Sequence, residues 1–357
     1  FLPKIALLFF LLTILEDFGY MARAVYMFDG LLQKFGLNGR SLVSLIAGGA
    51  CAIPAIMSTR SISNQKERLI TTLVTPFISC SARIPVYTIL VAFVVSNSYK
   101  LGPFNAQGLL FMGLYLLGIA TALIASYVLK KIIKSEERSF LMIELPDYKT
   151  PDIKVAFQTA WSKSKSFLLE AGKVILIISL VLWLLSSYGP SAKMKAITDE
   201  VNSLKLEQSL SDLAAENLMA SKKLEASYAG IIGKWMEPLI KPLGFDWKIG
   251  IALLTSFAAR EVFVGTMSTI YSLGSSEDYD SLQKKLSAEI NQDTGQPRFT
   301  LAVSVSLLLF YVFAMQCMST MAVVYRETGG WKWPIIQFVF MCGLAYLASF
   351  IAFQLLK

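Results

Sequence analysis

The 357-residue sequence contains no histidine, and only 16% of its residues are charged. Without imidazole there is no Ser-His-Asp or Cys-His arrangement and no HExxH motif, so the chain is not expected to be an enzyme. A metal handled here must be met by sulfur, carboxylate, hydroxyl, amide or backbone oxygen. No GxxxxGK[ST] loop is present, which leaves the chain by itself without a cradle for a nucleoside triphosphate. Cysteine is scarce as well. Cys51, Cys80, Cys317 and Cys342 all lie inside apolar stretches, whereas a disulfide scaffold would place them in exposed loops of a small secreted chain. The opening FLPKIALLFF lacks the basic start and cleavage site of a signal peptide. The missing initiator Met suggests a piece of a longer protein.

Hydrophobic residues make up 55% of the chain. Low charge alone could describe a large soluble core, so the distribution decides. Residues 107–129, 299–325 and 333–356 carry no charge at all, and each is long enough to cross a hydrocarbon core, which takes about 20 apolar residues as helix. The expected class is an all-α polytopic membrane protein. Five further hydrophobic segments fall at about 3–28, 41–59, 69–96, 167–188 and 249–273. The net charge of +8 does not point to nucleic acid, because the basic residues sit in connecting segments, where positive charge sets membrane orientation. Stretch 130–166, with eight basic residues against five acidic ones, is expected on the cytoplasmic side. Stretch 189–230 reads as a helical periplasmic insertion. GIIGKWMEPLIKPLGF (230–245) reads as an amphipathic helix at the headgroups, with Trp235 and Trp247 as anchors.

An internal repeat aligns residues 31–54 with 239–262, and 75–87 with 312–324, so that Cys80 meets Cys317. The expected organisation is a first repeat over 1–129, a connecting segment over 130–166, and a second repeat over 167–357. If segments 41–59 and 249–273 are re-entrant, each repeat crosses three times and the two are inverted. If they cross, the repeats are parallel.

The informative positions are those that lipid would reject. GGACAIPA (48–55) places two glycines, Cys51 and Pro54 in eight residues. ISCSARIP (78–85) places Cys80 between Ser79 and Ser81, followed by Arg83 and Pro85. Broken helices survive at membrane depth only where protein or water receives the freed backbone groups. Both stretches therefore read as discontinuous helices offering sulfur, hydroxyl and carbonyl to one cavity. The bland alternative is that Cys51 and Cys80 are small packing residues. Glu261, beside Arg260 in mid-segment, marks a pathway or a salt bridge with Arg83 or Arg260. Glu16 and Asp17 near a segment end read as structural. Cys317, among Met315, Gln316 and Met318, suits a soft or borderline cation or ordinary packing. Cys342 has no polar neighbour in sequence and reads as packing.

The stretches LEDFGYMAR (15–23), CAIPAIMSTR (51–60), KERLITTLVTPFISCSARIPVY (66–87), AAREVFVGTMSTIY (258–271) and RETGGWKW (326–333) resemble the ferrous iron transport protein B family, whose paired gate regions are similar to nucleoside-transporter gates. The resemblance implies an Fe²⁺ permease of the bacterial cytoplasmic membrane, with Fe²⁺ as cargo and no permanent cofactor. It implies an iron path that carries over onto Cys51, Cys80 and Cys317. It also implies an N-terminal GTP-binding domain using GTP and Mg²⁺ outside this region, and small accessory iron transport proteins as partners. A homo-oligomer stays open, as do Mn²⁺ and Zn²⁺ as cargo. Two departures stand out. Ala50 and Ala52 flank the first cysteine where the family commonly has Gly and Asn, and Arg260 replaces a common Lys. A nucleoside-type solute transporter and a membrane scaffold are the rival readings.

Overall fold

The computed structural model describes residues 2–95, 100–101, 104–133, 147–190, 197, 212–257, 260, 262–270, 299–315 and 317–357. Helices dominate. They are α1 (Leu2–Asp17), α2 (Tyr20–Lys34), α3 (Ser41–Gly48), α4 (Ala52–Ser58), α5 (Gln65–Val74), α6 (Ile84–Val94), α7 (Ala106–Ile132), α8 (Ile153–Ser187), α9 (Asp212–Ala226), α10 (Tyr228–Ile240), α11 (Trp247–Ser256), α12 (Val262–Ile270), α13 (Leu301–Phe313), α14 (Met318–Thr328) and α15 (Lys332–Leu356). The sole strand pairing among the described residues is a two-residue antiparallel contact, Lys100–Leu101 with Phe104–Asn105. Four stretches, Gln65–Val94, Ala106–Ile132, Leu301–Thr328 and Lys332–Leu356, are long and apolar enough to cross a membrane. The chain is an all-α polytopic membrane protein.

The hydrophobic segment at 3–28 is not one rod. Gly19, with φ +81°, turns the chain between α1 and α2, a conformation that costs an L-residue about 1–2 kcal/mol and glycine little. Arg23 Nη1 donates to the Gly19 carbonyl at 3.0 Å, and its guanidinium lies 3.7 Å over the Tyr148 ring. Glu16 and Asp17 are exposed at this corner.

Within segments 41–59 and 249–273, α3 pairs with α4 and α11 with α12 as hairpins. At 1.5 Å per residue, α3 and α4 reach only about 12 Å each, far short of a hydrocarbon core of about 30 Å. Ser44, in the first turn of α3, hydrogen-bonds Ser58, the last residue of α4, at 2.7 Å. The chain therefore enters and returns. In α11 and α12 the equivalent tie is Thr255 to Thr266, at 2.9 Å.

The chain divides into two compact units. The first is Phe1–Ala82, Gly113–Ile175 and Ser319–Met341, and the second is Arg83–Met112, Leu176–Met318 and Cys342–Lys357. Within the first, Gly36 has φ +81°, and within the second its repeat partner Gly244 has φ +82°. The bonds around them repeat too. Gly36 and Leu37 donate to Gln33 and Leu32, and Gly244 and Phe245 donate to Lys241 and Ile240. The likeness reaches back beyond the sequence alignment, because α2 begins at Tyr20 and α10 at the matching Tyr228. Each is amphipathic. Tyr26, Met27 and Leu31 of α2 are exposed, as are Ile231, Leu239 and Trp235 of α10, the last 82% exposed.

A side chain at either glycine would meet both the dihedral penalty and an occupied neighbour. A Cβ on Gly36 would lie 2.7 Å from Lys130 Cβ, and one on Gly244 would lie 2.3 Å from the Phe353 ring. Gly36→Ala and Gly244→Ala are each expected to destabilise the protein by about 2 kcal/mol. Thermal unfolding of the purified variants in detergent checks this.

Candidate functional site

Four half-helices, α3, α5, α11 and α13, end among buried residues, and a helix end leaves its last carbonyls without partners in the helical ladder. A helix C-terminus carries partial negative charge, so such ends favour cations. Capping fixes where the half-helices begin. Asn64 Oδ1 accepts from Lys66 N at 2.9 Å and Glu67 N at 3.2 Å, starting α5. Asp246 Oδ1 accepts from Ile249 N at 2.9 Å near the start of α11, and Thr300 Oγ1 accepts from Val303 N at 3.4 Å near the start of α13. These are ordinary N-caps.

In the first unit, α3 stops at Gly48 and Cys51 is extended (φ −158°, ψ 135°) before α4 begins. Pro54 falls in the first turn of α4, where a missing N–H is harmless. It pre-shapes the returning helix rather than kinking the entering one. The second break follows a 3₁₀ turn at Thr75–Phe77. Ser79 is buried and Cys80 partly exposed, and Pro85 again lies in the first turn of the next helix, α6.

The two breaks of this unit touch. Ser81 Oγ donates to the Ala50 carbonyl at 3.1 Å, so the residues next to Cys80 and Cys51 are hydrogen-bonded to each other. A Cβ on Gly48 would lie 3.4 Å from Thr75 Cγ2 and 3.6 Å from Ile78 Cβ, a close approach of the α3 end to the second break. None of the four cysteines forms a disulfide.

The second unit repeats this junction with different groups. Met318 N donates to the Phe257 carbonyl at 3.1 Å, which joins the end of α11 to the break holding Cys317. Arg260 is buried, and its Nη2 donates to the Ala314 carbonyl at 3.2 Å. A fixed cation thus stands at the α13 carbonyl end. Glu261 and Gln316 lie outside the described residues. Arg83, the first residue of this unit, is fully buried. Cys317 and Cys342 are both partly exposed. Among the described residues, no three of His, Cys, Asp and Glu form a group that could hold a metal ion.

Two family models match the chain. The Gate family, described as nucleoside recognition, matches residues 1–94 and 168–331. The family described as the C terminus of ferrous iron transport protein B matches residues 111–163. The Fe(2+) transporter FeoB of Leptospira interrogans serovar Lai is 45% identical over 99% of this chain and 48% of its own length. That of Leptospira biflexa is 44% identical over 100% of this chain and 49% of its own length. A Porphyromonas gingivalis protein named as a fusion of Fe(2+) transport protein A and Fe(2+) transporter FeoB is 36% identical over 99% of this chain and 42% of its own length.

The chain belongs to the ferrous iron transport protein B family.

It spans about half the length of the curated family members it matches. No solved structure shows a significant match to it. In this family member, three features of the site were not visible in the sequence pattern. The first is Gly118 on α7, in a buried stripe with Leu114, Ala122, Ala125 and Ser126. A Cβ there would sit 3.0 Å from the Phe77 carbonyl and 3.3 Å from Ser79 Oγ, so α7 presses its backbone onto the cysteine-bearing break. Small residues permit such approaches between membrane helices. The second is Glu327 of α14, whose carboxylate meets Arg60 and Arg68, each at 2.6 Å. The third is Gln337 of α15, buried among the carbonyls of α5.

Gly118→Leu has no room unless the break moves. It is expected to destabilise the protein by about 1–3 kcal/mol. Gly118→Ala needs a shift of only a few tenths of an ångström and is expected to cost less than about 1 kcal/mol. Thermal unfolding of the purified variants in detergent checks both.

Proposed function

We propose that this chain carries ferrous iron across the bacterial cytoplasmic membrane, passing the ion between Cys51, Cys80 and Cys317 with Ser79, Ser81 and Glu261 as oxygen ligands. The observation that carries the reading is the Ser81–Ala50 hydrogen bond, which joins two cysteine-bearing helix breaks of one unit. The names of the relatives, Fe(2+) transporter FeoB, agree with it. Fe²⁺ is borderline in softness and accepts thiolate together with oxygen, whereas Mg²⁺ prefers oxygen alone. Flux demands weak, successive binding, so a closed thiolate cage would be a trap. One or two sulfurs at a time, backed by carbonyl dipoles, suit an ion in transit.

A GTP-binding domain belongs, on this reading, to the part of the family members that the chain does not span. An accessory iron transport protein fits as partner, since one relative is named as a fusion with Fe(2+) transport protein A. The description of the Gate family favours a second reading, nucleoside transport. A ribose and base need several polar side chains, and the charge-free spans offer few Asn or Gln.

Anaerobic flux into liposomes containing the full-length protein separates the two readings. Fe²⁺ is expected to enter faster than Mn²⁺ or Zn²⁺, and uridine not at all. Uridine flux without metal flux would reverse the assignment.

A further inference from the structure

Gln337 lies in the charge-free span of α15, yet it is only 3% exposed and turned into the protein. Its Nε2 donates to the Leu73 carbonyl at 2.7 Å and to the Thr72 carbonyl at 3.4 Å. Both carbonyls belong to the last turn of α5, and the sequence explains why they need an outside donor. Pro76 stands where a backbone N–H would close the helical turn on Thr72, and it has none. The chain then passes through the 3₁₀ turn and extends at Ile78 (φ −65°, ψ 129°), so the helical ladder stops. Two carbonyls on one side settle which way the amide points, because only nitrogen can donate. Oε1 is left buried with no hydrogen-bond partner among the described residues. One turn further along α15, the Phe340 ring packs edge-on to Phe77, with centroids 6.1 Å apart.

We propose that Gln337 is a positioning residue for Cys80: its amide nitrogen caps the Leu73 and Thr72 carbonyls where the helical ladder stops at Pro76 and the 3₁₀ turn, and so fixes where Ser79 and Cys80 leave the helix. The proposal rests on the reading above, in which Cys80 lies on the cation path. It differs from two plainer roles. A residue that only fills space would be replaced well by Met. A residue whose oxygen binds the ion would be replaced well by Glu. A donor is replaced well by neither. It is replaced by Lys, whose ammonium can reach both carbonyls and is favoured at a helix C-terminus.

The test compares Gln337→Met, Gln337→Glu and Gln337→Lys in the full-length protein. Two readouts are taken: KM and Vmax for Fe²⁺ uptake, and the rate of Cys80 alkylation by a maleimide, read by peptide mass spectrometry. Met and Glu are expected to raise KM and speed Cys80 alkylation, each about fivefold, the scale of one lost buried hydrogen bond. Lys is expected to stay within about twofold of the parent on both. A parent-like Met variant overturns the proposal in favour of packing. A parent-like Glu variant beside a failed Lys variant overturns it in favour of a ligand oxygen. If the parent itself moves no iron, the transport reading fails, while the alkylation ranking still decides whether Gln337 sets the position of Cys80.

Discussion

Cells that depend on this protein for ferrous iron are expected to take it up at least about tenfold more slowly when Cys80 is replaced by Ser, the effect of losing more than about 1.4 kcal/mol at one step of the path. The exchange of sulfur for oxygen barely changes volume, so the break and its hydrogen bond from Ser81 to Ala50 stay in place. What changes is softness. A borderline cation loses its one polarizable ligand on that segment and faces a hydroxyl flanked by two more. Cys51→Ser and Cys317→Ser are expected to lower uptake in the same direction. Cys342→Ser, read as a packing change, is expected to leave it within about twofold. Uptake of radioactive iron under anaerobic conditions, normalised to protein in the membrane, checks the series. Unchanged uptake in the first three variants would remove the sulfur path.

The second large effect is expected at Glu327. Its side chain is only 4% exposed, and its Oε1 accepts from Arg60 Nε at 2.9 Å and Nη2 at 2.6 Å, while Oε2 accepts from Arg68 Nη2 at 2.6 Å. Charge-assisted, forked contacts of this kind are the strong ones. They tie α14 to the turn after α4 through Arg60 and to the first turn of α5 through Arg68, and so hold the far end of the hairpin that carries Cys51. Because both arginines reach solvent, removing the carboxylate costs less than breaking a wholly buried pair, about 1–2 kcal/mol. Reversing it costs more. Glu327→Lys gathers three cations and is expected to lower stability by about 3 kcal/mol or more, seen as loss of the folded protein from membranes. Adding Arg60→Glu and Arg68→Glu is expected to restore much of it. If the triple variant is no better than Glu327→Lys alone, the ion pairs are not what holds α14.

These two predictions differ in how much of their basis the sequence exposed. The helix breaks at Cys51 and Cys80 were legible because glycine and proline in an apolar run break a local rule, and local rules are what a sequence displays. The hairpin of α3 and α4 was half legible: the break at Gly48–Cys51 was marked, but crossing or returning depends on whether Ser44 meets Ser58. The aligned stretch begins at residue 31 and does not reach Tyr20–Gly30, where α2 and α10 expose apolar faces made of different residues. Glu327, Gly118 and Gln337 were not legible at all. Each matters through a partner far away in the chain: Arg60, the Phe77 carbonyl, the Leu73 carbonyl. Nothing in the local pattern records such pairs. Even the amide of Gln337 does not stand out, because Gln354 shares its charge-free span.

The most direct measurement is protection of individual thiols by metal. The full-length protein is alkylated anaerobically in membranes with and without Fe²⁺ or Mg²⁺, and each cysteine is read separately by mass spectrometry. Fe²⁺ is expected to slow modification of Cys51, Cys80 and Cys317 while leaving Cys342 alone, and Mg²⁺ to slow none. Equal rates at all four cysteines with and without Fe²⁺ would mean that the sulfur-bearing breaks do not meet the ion.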